Sequence, residues 1–135
     1  YADERFVEKA AKIFPYIFWH ICGHNLPEAM QALTKWEGIK AVQYDVPYYS
    51  QRLSWPEWFE SVAKLFKGKR CAMNSPTTQL ACHGTAREVR QMVHEFIDAT
   101  TPHTTAVVMP GCEVDSFTPV ENVTAMIHAA REARL

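Results

Sequence analysis

The sequence predicts an α/β domain with a parallel sheet. Apolar, strand-like runs alternate four times with stretches of helical period, and capping and stop residues bracket the helices. Ligand-type residues also gather where the strands end. The first stretch, 3–13 (DERFVEKAAKI), sets Phe6, Val7, Ala10 and Ile13 on one side of a helix, and Pro15 closes it. Residues 16–22 then read as a buried strand. Asn25 caps a helix over 26–36, with Pro27 in its first turn and Gly38 past its end.

The alternation continues with a strand at 40–45 (KAVQYD) and a loop from Val46 to Ser54. Ser54 and Glu57 form a capping box for a helix at 55–66, and Gly68 lies beyond its end. A strand at 70–74 (RCAMN) precedes a loop that carries the adjacent Cys82 and His83. Thr85 and Glu88 open a helix at 86–99. A strand at 104–109 leads to Gly111 and Cys112. Thr118 and Glu121, with Pro119 at the first helical position, open the last helix, which runs to about residue 133.

One helix followed by four strand–helix units implies parallel strands, right-handed crossovers and helices packed outside. A doubly wound sheet and half of an eight-fold barrel both satisfy that count. In either, ligands collect at the carboxyl ends of the strands. His20, Cys22, Asp45, Asn74 and Cys112 fall there.

Composition narrows the function. The 135 residues suit one domain, 1–135, and 47% apolar against 21% charged residues supports a packed core. A formal charge of −1 without a basic block argues against nucleic acid and anionic membranes as partners. The apolar runs are too short to span a bilayer. No signal peptide is expected, although the chain opens on Tyr1 rather than a methionine. The four cysteines lack the spacing of a secreted disulfide scaffold, so a cytoplasmic protein with metal-binding or buried thiols is expected.

His20 and Cys22, two apart on a strand, share one face about 6.5 Å apart. Cys112, from the fourth strand end, can join them. One imidazole and two thiols suit zinc and leave a fourth position open to a substrate thiol. Zinc would deprotonate that thiol and make it a nucleophile. Against this, strand cysteines are often simply buried. Cys71 sits at the start of its strand and reads as packing. His24, Asp45 and Asn74 are candidate substrate contacts, and His24 or Asp45 could instead close a structural zinc site. Trp36, Trp55, Trp58 and Phe59 read as packing residues. No phosphate loop and no acyl-transfer signature is present.

Four segments carry a family resemblance: His20-Ile-Cys-Gly23, Met73-Asn-Ser-Pro76, Gly84-Thr-Ala-Arg-Glu-Val89, and Pro110-Gly-Cys112 followed by Thr118-Pro-Val-Glu-Asn122. Together they resemble the carboxyl-terminal half of the uroporphyrinogen decarboxylase superfamily, across nearly all of residues 3–134. The H-x-C and the late G-C resemble its cobamide-dependent methyltransferase branch. The resemblance implies half of a TIM (β/α)8 barrel: four parallel strand–helix units preceded by one helix. It implies zinc on His20, Cys22 and Cys112. It also implies methyl transfer between a corrinoid on a partner protein and a small thiol such as coenzyme M. The decarboxylase branch is metal-free and lacks this cysteine pattern, so it fits less well. With only the last four units present, the chain is expected to need an amino-terminal half-barrel or a second copy of itself. A non-catalytic half-barrel that serves assembly is the rival of a different class.

Overall fold

A computed structural model describes residues 2–23, 27–47 and 52–133. Four strands, β1 (Ile17–His20), β2 (Ile39–Gln43), β3 (Cys71–Asn74) and β4 (Ala106–Val108), form one parallel sheet in the order β1-β2-β3-β4. Chain order and spatial order coincide, so the sheet has no switch point. Of the two architectures open to the sequence, this is the half-barrel, not the doubly wound sheet. The helices are α1 (Ala2–Ala11), α2 (Pro27–Leu33), α3 (Trp55–Phe66), α4 (Thr78–His83), α5 (Ala86–Thr100) and α6 (Val120–Glu132). None is long and apolar enough to cross a membrane.

The core lies between the helices and one face of the sheet. Val42 and Ala72 meet Val7, Met30, Trp58, Phe59, Val62, Phe66, Val93, Phe96 and Ala129 there, with Ile17, Trp19, Ala106 and Val108 packed against them. Trp55 stacks on Phe59 with ring centroids 5.7 Å apart. The tryptophans and Phe59 thus serve packing. Alternation sends the intervening residues to the other face. Phe18 (69% exposed), His20 and Val107 lie on that side, which in a closed barrel would be the interior.

The capping boxes form where the sequence placed them. The Glu57 carboxylate accepts from the Ser54 amide and hydroxyl at 2.8 and 2.6 Å. Glu88 accepts from the Thr85 amide and hydroxyl, both at 2.8 Å. Helix α3 therefore spans 55–66 as expected, and α5 ends one residue later than expected.

Other boundaries differ, each for a local reason. Helix α2 stops at Leu33 instead of 36, because Thr34 and Lys35 turn back to the carbonyls three residues earlier and the Thr34 hydroxyl also donates to Gln31. Asn25, its expected cap, lies outside the described residues. Cys82 and His83 are not in a loop; they end α4, a six-residue helix whose cap is the Thr77 hydroxyl accepting from the Leu80 amide at 3.1 Å. Thr118 does not cap α6. Pro119 takes that place, its carbonyl accepting from Asn122 and Val123, while the Thr118 amide donates to the Asp115 carbonyl.

Candidate metal centre

Strand β1 presents His20 to the open face, and Cys22 follows two residues on, just beyond the strand end. Both are exposed. Cys112 comes from the opposite edge of the sheet. Its segment, Pro110-Gly111-Cys112, must double back across the ends of β3 and β2 to reach β1. Three contacts hold that path. The Gln43 side-chain amide donates to the Pro110 carbonyl at 2.7 Å. The Gly111 amide donates to the Pro76 carbonyl at 3.1 Å. Gly111 itself lies so close to the residues just past β2 that a Cβ would sit 2.8 Å from Asp45 Oδ1. A side chain there would push the segment away, so the glycine is required by close approach.

The result is a cluster. Cys22 Sγ and Cys112 Sγ are 3.3 Å apart, and Cys112 Sγ is 3.6 Å from His20 Nε2. All three ligand atoms lie within 4.8 Å of one another. A tetrahedral zinc with Zn–S about 2.3 Å and Zn–N about 2.0–2.1 Å sets its ligand atoms about 3.5–3.8 Å apart. The His20–Cys112 edge matches that spacing, the sulfur–sulfur edge needs to open by about half an ångström, and the His20–Cys22 edge lies within 4.8 Å. The donor set therefore fits the ion. The Cys112 sulfur, through its hydrogen bond and its charge, raises the Cys22 thiol above its ordinary value of 9.0, with burial and the Asp45 carboxylate adding to the effect. A bound cation would reverse that balance.

Asp45 and Asn74 are placed differently from one another. Asp45 is buried beside the Cys112 segment. Its backbone carbonyl accepts from Trp58 Nε1 at 3.0 Å and from Asn74 Nδ2 at 3.4 Å. Asn74 pairs with Val108 in the sheet, is fully buried, and accepts the Ser75 amide at 2.5 Å. It therefore braces the β3 end and Asp45 from the helix side and does not join the cluster. Ser75, next to it, has φ +72, a left-handed conformation that costs a non-glycine residue energy and is held here by that bond. His24 lies outside the described residues. Cys71 begins β3, at the far end of the sheet.

Two contributors escape a reading of the sequence. Gln43 carries no chemistry and looks like a strand residue, yet it anchors the Cys112 segment. Asn122, in the T-P-x-E-N segment, donates to the Ala81 and Gly84 carbonyls at 2.8 Å each, tying α6 to the α4–α5 turn.

Four parallel strands in chain order with helices outside define half of a (β/α)8-type barrel, and three ligand-type side chains meet at its carboxyl rim. The chain matches the family described as Uroporphyrinogen decarboxylase (URO-D) over residues 2–133, and it belongs to that family. Comparison with curated proteins and with solved structures gave no significant match.

Proposed function

We propose that the chain is a zinc-dependent methyltransferase of the URO-D family, moving a methyl group between a corrinoid carried on a partner protein and a thiol acceptor. The observation that supports this reading most is the convergence of His20, Cys22 and Cys112 within 4.8 Å at the strand ends. The ion's contribution at such a site is to lower the proton affinity of a thiol in its fourth position, leaving a sulfur nucleophile at neutral pH.

The chain's own residues supply the rest. His20 would ligate as neutral imidazole through Nε2, the atom that faces Cys112. Cys22 and Cys112, as thiolates, would balance a divalent charge. Gln43 and Gly111 fix the Cys112 segment, so the Cys112 sulfur would be held in place before any ligand arrives. Asp45, next to that segment, would meet an acceptor's polar group, with Asn74 bracing it through the backbone carbonyl.

The open sheet face, with Phe18 and Val107 exposed, supports a working unit completed by an amino-terminal half-barrel or by a second copy. The cytoplasm is the compartment we assign, since both ligand cysteines must stay reduced.

Metal analysis of the purified chain tests the assignment. We expect about one zinc per chain, lost in Cys22→Ser and in Cys112→Ser, whereas Cys71→Ser retains it. Equal zinc content in all four proteins would refute the site.

A further inference from the structure

We propose that Cys22 and Cys112 also form a reversible disulfide in the metal-free chain, so that the ligand pair doubles as a peroxide-sensitive modification site. The zinc reading enters only in the protected state; bond formation depends on the two sulfurs alone.

The geometry carries this. Both thiols are free and their sulfurs stand 3.3 Å apart, against about 2.05 Å in a disulfide. Closing that gap takes little more than an ångström of movement, and the two sides differ in their freedom to supply it. Cys112 is half-buried on a segment pinned by Gln43, Pro76 and Asp45. Cys22 is exposed, just past the end of β1, and is followed by Gly23, which adopts φ +75 with open space around it. Cys22 is therefore the sulfur that meets an oxidant and moves, and Cys112 is the resolving partner. Cys71, at the opposite end of β3, and Cys82, on α4, are not part of the cluster.

The chemistry balances with a peroxide as oxidant. The Cys22 sulfur takes one oxygen from hydrogen peroxide, giving a sulfenic acid and one water. The Cys112 sulfur then attacks the Cys22 sulfur. The S–S bond forms as the S–O bond breaks, and the departing hydroxide leaves as a second water with the Cys112 proton. Two thiols and one peroxide thus become one disulfide and two waters, and a reducing dithiol reverses the change. Both sulfur ligands leave the metal set in one event, so oxidation and metal occupancy exclude each other.

The test is peroxide treatment of the full chain, metal-free and zinc-loaded, followed by alkylation and intact-mass and peptide mapping. For the metal-free chain we expect a loss of about 2 Da, a peptide joining Cys22 to Cys112, alkylation confined to Cys71 and Cys82, and full recovery with dithiothreitol. In Cys112→Ser we expect Cys22 to stop at a sulfenic acid, about 16 Da heavier and trapped by dimedone. Four alkylatable thiols after treatment, or a crosslink that uses Cys71 or Cys82, would overturn the proposal. The zinc arm separates the two claims. A disulfide that forms equally fast with zinc present upholds the switch and sinks the zinc reading. Zinc binding without a disulfide in the metal-free chain does the opposite.

Discussion

The Gln43 side-chain amide donates to the Pro110 carbonyl at 2.7 Å, and this bond between the second strand and the segment after the fourth helps determine where Cys112 sits. Gln43 pairs with His20 in the sheet. One row of the open face therefore holds a candidate ligand, His20, and beside it the anchor of the segment that carries another, Cys112.

Removing that anchor separates metal binding from folding. Gln43→Leu is expected to cost about 1 kcal/mol of stability and to weaken zinc about 10-fold. Gly111→Ala should weaken zinc at least as much, since its Cβ would meet Asp45 Oδ1 at 2.8 Å. Chelator competition and thermal melts measure the two effects. Zinc affinity unchanged in both variants would show that the segment needs no bracing.

Asn122 makes the converse case. Asn122→Ala removes two 2.8 Å bonds and leaves the Ala81 and Gly84 carbonyls without that donor. A loss of about 2 kcal/mol is expected in denaturant melts. Zinc affinity of the folded protein should stay as it was, because neither α6 nor the α4–α5 turn supplies a ligand.

Acid should weaken the fold through its helix caps. Glu57 is held below its ordinary value of 4.5 by the Ser54 hydroxyl and amide, and Glu88 below the same value by the Thr85 amide and hydroxyl. Glu60 is lowered chiefly by Lys64, with His103 adding to it. A carboxyl that binds its proton less readily folded than unfolded stabilises the fold above its unfolded value. That contribution is lost as pH falls through the lowered folded value. Melting temperature should therefore fall as pH drops below about 4.5, and the double variant Glu57→Gln, Glu88→Gln should flatten the fall. An unchanged slope would mean that these caps do not couple to folding.

The repeat of strand and helix was legible because each long helix carries its own boundary chemistry. Ser54 with Glu57 and Thr85 with Glu88 mark two starts to the residue. The pairing of His20 with Cys22 followed from the two-residue period of a strand. Helix α4 was not legible, since six residues hold too little of a helical period and Thr77 has Leu80, not an acid, three positions on. Thr118 misled because its box pattern lies next to Pro119, which takes the cap position itself. The reach of Cys112 back to β1 is not fixed by sequence spacing. It depends on Gln43 and Asp45 at the end of β2 and on Pro76 past the end of β3, which have no common spacing. Strand alternation sets Asn74 on the helix face, beside Val108, a placement that its position at a strand end does not by itself reveal.

In the proposed site His20, Cys22 and Cys112 hold zinc and leave one place for a thiol. The most direct measurement is zinc X-ray absorption on the loaded chain, before and after a small thiol is added. We expect two sulfur ligands, those of Cys22 and Cys112, with at least one imidazole nitrogen, and a third sulfur once the thiol is present. A sulfur count that the thiol leaves unchanged, or a first shell without two sulfurs, would contradict it.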